Sequence, residues 1–172
     1  NESEGDFTPV GTDVRFGLAA IRNVGGNVVE GVVAARAAEG RFESFPDFMD
    51  KVPVVVCNKR VVESLVKAGA FDSLGYSRRS LAAVFDAAVD AVLDIKRNEA
   101  IGQFDLFGGA VGNRQGLEVT VPDLSEWDKQ VKLGYEREML GVYGCDRPLR
   151  GVDHVLSRMT DRSISSLADE EE

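Results

Sequence analysis

Histidine and cysteine are nearly missing from these 172 residues: His154 is the single histidine, and Cys57 and Cys145 are the two cysteines. The cysteines lie far apart and outside any CxxC spacing, so neither a zinc site nor a disulfide framework is supported. Long apolar runs are missing too. None approaches the roughly 20 residues needed to cross a bilayer, and the acidic, Gly-containing start has neither the basic tip nor the apolar stretch of a signal peptide. A cytoplasmic location with no membrane partner is the expectation. Strand signals are equally scarce, since the one β-like run, Val54-Val55-Val56, is short and follows a proline.

An excess of bases is also absent. The formal net charge of −9 argues against a partner bound mainly through Lys and Arg, as nucleic acids usually are. Its distribution qualifies that: residues 1–13 carry −4, residues 14–81 carry +3 and residues 82–172 carry −8. Any DNA contact belongs in the middle third.

What the chain does have is helical periodicity. Phe16, Leu18, Ala19 and Ile21 predict a first helix from Val14, and Val28, Val29, Val32 and Val33 form the apolar stripe of a second. Ser44 and Asp47 start a third, with Phe45, Phe48 and Met49 on one side. Asn58 is the N-cap of a fourth, which buries Val61, Val62, Leu65 and Val66 and ends at Gly69. Ser77 caps a long helix in which Leu81, Val84, Phe85, Ala88, Val89, Val92 and Leu93 recur at 3.6-residue spacing. Pro122 and Ser125 open a last helical region running through Trp127, Leu133 and Met139. The expected class is all-α. On these signals the chain divides into an acidic linker (1–13), a tandem hairpin domain (14–97), a Gly-rich flexible segment (98–121), a helical extension (122–159) and an acidic mobile tail (160–172).

The turn Arg22-Asn23-Val24-Gly25-Gly26-Asn27 is where DNA is expected. Two glycines there can adopt φ > 0 and bring the backbone close to a ligand, while the next helix points unpaired N–H groups out of the turn. Such amides, aided by the helix dipole, bind phosphate without reading sequence. A plain bend between packed helices has the same composition, but the helix, Gly-containing turn, helix plan recurs over residues 58–92, with Arg78 and Arg79 at the start of its second helix. The second turn has no tight Gly-x-Gly and is expected to be mainly architectural.

A second feature stands in the Gly-rich segment. Gln103-Phe104-Asp105-Leu106-Phe107 places an amide before bulky apolar side chains in otherwise polar surroundings. These side chains either fold back on the core or insert into a partner's groove. In the second case Leu106 and Phe107 are the anchors, worth about 3–6 kcal/mol before ordering costs. Asp86, Asp90 and Asp94 recur every four residues along one helix, which reads as a solvated charge stripe rather than a metal site. No metal site and no catalytic residue is expected.

In chain order, VRFGLAAIRNVGGNVVEGVVAAR, NKRVVESLVKAGAFDSLG, AIGQFDLFGG and EREMLGVY resemble the alpha subunits of bacterial DNA polymerase III, the C-family replicative polymerases. The resemblance covers residues 14–150. It implies two helix-hairpin-helix units that hold duplex DNA non-specifically, a segment at Gln103–Phe107 that docks on the beta sliding clamp, and a passage leading toward an OB-fold domain. In that passage Gly144-Cys145-Asp146-Arg147 departs from the family pattern by being more acidic. The resemblance also implies that nucleotide transfer, with its magnesium, belongs to a palm outside this chain, and that other replicase subunits are engaged through the parent chain. Three other readings remain: the same region of an error-prone paralogue used in damage tolerance, a helical interaction scaffold without DNA binding, and a helix-hairpin-helix glycosylase. Glu30 and the valines after the turn fit the glycosylase poorly, because it would need an Asp or Lys lining a base pocket there.

Overall fold

Local capping chemistry sets the limits of the central helices. Ser44 Oγ accepts from the Asp47 amide at 3.2 Å, while the Asp47 carboxylate reaches back to the Glu43 amide at 2.9 Å. Asn58 Oδ1 accepts from Arg60 and Val61, and Ser77 Oγ accepts from Ser80 at 3.0 Å. In the computed structural model, which describes residues 1–101 (backbone alone at 100 and 101), 119–151, 155, 158 and 159, these caps open α2 (Phe45–Lys51), α3 (Lys59–Ala68) and α4 (Arg78–Ile101). They are preceded by β1 (Thr8–Val10), β2 (Asp13–Arg15), a short 3₁₀ turn (Leu18–Ala20) and α1 (Gly26–Glu39). A second 3₁₀ turn (Asp72–Leu74) lies between α3 and α4, and α5 (Lys129–Leu140) closes the described order.

α3 is the hub. It packs on α4 and α5, burying Val61, Val62, Leu65 and Val66 as the spacing predicts. Phe45 and Phe48 on α2 meet Phe71 edge to face, with ring centroids 5.4 and 4.9 Å apart, a geometry worth about 0.5–1.5 kcal/mol per pair beyond area burial. The valine stripe of α1 and the Leu81, Ala88, Val89 and Val92 face of α4 complete one continuous core, which also includes Met139 of α5. Among the described residues no helix is long and apolar enough to cross a membrane.

The mainly helical class holds, but three local expectations do not. The acidic start is not an unstructured linker: β1 and β2 form an antiparallel pair in the register Thr8 with Arg15 and Val10 with Asp13. Phe7 packs on Phe16 with centroids 4.6 Å apart. Asn1 and Phe42 exchange side chain to backbone bonds of 2.8 and 2.9 Å, and Glu4 pairs with Arg36. Residues 14–21 consequently form no α-helix, only the end of β2 and the 3₁₀ turn at Leu18–Ala20. The Leu18 and Ala19 amides donate to the carbonyls of Glu4 and Gly5, and Gly17 lies so close that an added Cβ would come within 2.5 Å of that backbone. Apolar spacing suggested a helix; pairing of residues 13–15 with β1, and of Leu18 and Ala19 with Glu4 and Gly5, took its hydrogen bonds.

The last helix also begins later than Pro122 and Ser125 suggest, at Lys129. The Leu124 carbonyl accepts from Ser77 Oγ at 2.8 Å, and its amide donates to Ser80 Oγ at 3.0 Å, so residues 122–128 are held against the start of α4 without regular secondary structure. At the other boundary α4 continues past Arg97 to Ile101. Residues 102–118 and 160–172, which include the apolar island and the acidic tail, lie outside the described residues.

Candidate nucleic-acid interface

The first turn is held from three sides. The Val24 amide donates to the Ile21 carbonyl at 3.1 Å, and the Arg22 amide donates to the Met139 carbonyl at the end of α5 at 2.9 Å. Asn23 Nδ2 donates to Ser64 Oγ on α3 at 3.0 Å, and Ser64 Oγ donates in turn to the Arg60 carbonyl at 2.8 Å. Asn23, not a glycine, carries the left-handed backbone, with φ 66°. Asn tolerates that region because its short polar side chain can bond locally, and here Ser64 holds it.

This revises the reason for the two glycines. Gly25 has φ −83° and ψ 167°, an extended conformation open to any residue, and Gly26 already begins α1. A Cβ added at either position would meet nothing within 4 Å. Neither internal packing nor a positive φ demands glycine at 25 or 26. The Gly25, Gly26 and Asn27 amides find no acceptor among the described residues, and no acid stands in the first turn of α1. Arg22, Asn23, Gly25, Gly26 and Asn27 are exposed. Val24 is the exception, with its side chain in the core, so it anchors the turn rather than facing a ligand.

The second turn is built differently. Gly69 sits at φ 82°, and Arg78 fills the space against it: a Cβ on Gly69 would come within 2.1 Å of the guanidinium. Arg78, expected to face DNA, is instead buried and internally paired. Its Nε and Nη2 donate to Asp72 at 2.9 and 2.7 Å, and Nη1 lies 2.9 Å from the buried Glu136 Oε1. That last contact is close without hydrogen-bond alignment. Glu136 Oε2 also accepts from the Gly144 and Cys145 amides at 2.9 and 3.0 Å. Burial pushes the Glu136 carboxyl upward, but the Cys145 and Gly144 donors and Arg78 outweigh it and hold the group below the usual carboxylate range. Burial likewise opposes the Arg78 cation, and its bond to Asp72 leads the interactions that raise its pKa above the usual value.

Most telling is the start of α4. The Glu126 carboxylate accepts from the Arg78 amide at 3.0 Å and the Arg79 amide at 3.3 Å. Burial opposes its charge, yet these amides and that of Trp127 keep it below its ordinary pKa. An internal carboxylate thus occupies the anion position at the second helix start. At the first, the corresponding position is open. The Arg79 side chain remains exposed, so of the two basic residues expected here only it faces solvent. Nothing local in the sequence marks Glu126 as this cap, because it lies 48 residues from Arg78.

Lys59 Nζ joins Asp86 and Asp90 at 3.0 and 2.8 Å, which places those carboxylates in a surface ion-pair network. Among the described residues, no three His, Cys, Asp or Glu side chains gather where they could hold a metal. Gln103, Phe104, Asp105, Leu106 and Phe107 fall outside the described residues.

Residues 1–81 match the family model of the helix-hairpin-helix motif. The chain is 52% identical to DNA polymerase III subunit alpha of Saccharopolyspora erythraea over 174 residues, covering 97% of this chain and 14% of that protein. It is 51% identical to the subunit of Mycobacterium leprae over 98% of this chain, and 37% identical to that of Vibrio cholerae over 84%. The chain belongs to the DNA polymerase III alpha-subunit family. It spans about 14% of the length of the Saccharopolyspora and Mycobacterium relatives. In this member of the family the helix-hairpin-helix match begins at residue 1, so it includes the paired strands and the segment that fixes Gly17.

The turn makes a testable demand on Asn23. Asn23→Ala removes the Ser64 bond and places a Cβ-bearing residue without local support at φ 66°, a combined cost of about 1–3 kcal/mol. Asn23→Gly loses the bond but accepts the φ, so it should cost less. Urea midpoints of the two variants give the comparison; equal losses would show that the backbone conformation contributes nothing.

Proposed function

We propose that this chain holds duplex DNA by its sugar-phosphate backbone, with the first turn as the anion-binding element, for a polymerase whose chemistry resides elsewhere in a longer parent chain. The observation that carries this reading is the contrast between the two helix starts: open amides at Gly25, Gly26 and Asn27, and amides closed by Glu126 at Arg78 and Arg79. The helix-hairpin-helix match over residues 1–81 and the names of the relatives support it. Neutral amides suit a chain with net charge −9, since they bind phosphate without a large basic surface. DNA-directed nucleotide transfer, with magnesium on palm carboxylates, is assigned to the parent protein, and no residue of this chain is given a part in it.

Two duplexes of unrelated sequence, titrated at several salt concentrations and read by fluorescence anisotropy, provide the test. Equal affinities whose logarithm falls linearly with log salt are expected. No binding to either duplex at low salt would favour an interaction scaffold instead.

The second proposed contact is with the beta sliding clamp, through Gln103 to Phe107, with other replicase subunits engaged through the parent chain. Its support is the pattern of an amide followed by Phe104, Leu106 and Phe107 between glycines. Changing Leu106 and Phe107 to alanine should remove most clamp binding in calorimetric titration and leave the melting temperature nearly unchanged. Core side chains of that size would instead cost about 2–5 kcal/mol each, so a large fall in melting temperature would place them in the core.

A further inference from the structure

We infer that Arg60 on α3 is a second, cationic contact to the DNA backbone held by the first turn, so that both units grip one duplex; this rests on the DNA-binding reading above. Two observations point to it. The first is charge pairing. Even well-exposed cations such as Arg41 and Arg97 have a carboxylate partner, Glu2 and Asp94 respectively. Arg22 and Arg60, like Arg79, Arg147 and Arg158, are exposed with none among the described residues; of these, Arg22 and Arg60 lie on elements joined by the bond from Asn23 to Ser64.

The second observation is position. Arg60 and Ser64 are one helical turn apart, and residues at i and i+4 share a helix face. Ser64 is the residue that receives Asn23 of the first turn at 3.0 Å, and its own hydroxyl donates to the Arg60 carbonyl. Arg60 therefore stands on the face of α3 that meets the turn, about 6 Å along the axis toward the helix start. Two of the amides at that start are closed, because Asn58 Oδ1 takes those of Arg60 and Val61, and the Lys59 amine is engaged by Asp86 and Asp90. The exposed, unpaired cation that α3 can offer a phosphate on this face is the Arg60 guanidinium. Its structural bonds are made by backbone atoms, so changing the side chain leaves the cap and the Ser64 link in place.

The two kinds of contact differ in salt dependence. Each phosphate neutralised by a cation adds about 0.9 to the slope of log affinity against log salt, whereas neutral amides release no counterion in this way. Arg60→Gln should weaken binding of the 172-residue chain to a 20-base-pair duplex several-fold and lower the salt slope by about 0.9. Arg60→Lys should restore the slope, and Arg97→Gln should change neither quantity. A wild-type slope in a folded Arg60→Gln variant would overturn the inference. If Gly25→Val/Gly26→Val abolishes binding in the same experiment, only the role of Arg60 falls; if that variant also binds normally, the reading of the first turn falls with it.

Discussion

Replacing Arg78 by alanine should destabilise the chain by about 3–5 kcal/mol, the range found when one member of a buried ion pair is removed. Arg78 and Glu136 are 2% and 1% exposed, so the loss leaves a carboxylate facing an emptied site beside Gly69. The effect has three sources. Glu136 loses its cation, Asp72 loses the charge-assisted bonds from Nε and Nη2, and the Lys67 carbonyl at the end of α3 loses a donor at 3.2 Å. Glu136→Ala should cost less, because Arg78 would keep Asp72. Replacing both residues with apolar ones of similar size should recover much of the loss, since well-packed hydrophobes often match a buried pair. Denaturant unfolding of the three variants measures these costs. A loss below about 1 kcal/mol for Arg78→Ala would show the pair to be dispensable, as exposed pairs commonly are.

The helices and their caps were legible in the sequence because their causes are local. Ser44, Asn58 and Ser77 each sit two or three residues before the amides they satisfy, and Gly69 ends α3 in the left-handed region. The first turn was legible as a place, but its internal mechanics were not. Positive φ was expected at Gly25 and Gly26 and is found at Asn23, because Ser64, 41 residues away, holds the asparagine there. The role of Arg78 was misread for a related reason. An Arg at a helix start suggests a phosphate contact, but Glu136 and Asp72 bury it. Glu126 and Met139 likewise depend on partners that no short window contains. The pairing of residues 8–15 is local, with Thr8 and Arg15 as its outermost pair, but strands of three residues are too short to show an alternating pattern. That hairpin apart, residues whose neighbours are close in sequence were readable; those fixed by the folded chain were not.

The central claim is that the first turn binds DNA through an open backbone, and Gly25→Val/Gly26→Val tests it most directly. Valine fits the extended φ and ψ of residue 25, and at both positions the new Cβ projects into space empty within 4 Å. The fold should therefore survive, with a cost near the roughly 0.5–1 kcal/mol span of helix and backbone propensities. The two side chains would, however, stand over the Gly25, Gly26 and Asn27 amides and keep a phosphate from approaching. Anisotropy titration of one duplex at low salt, paired with a melting curve, should show at least a tenfold loss of affinity, about 1.4 kcal/mol, in a protein that melts within a few degrees of wild type. Unchanged affinity in that folded variant would contradict the claim.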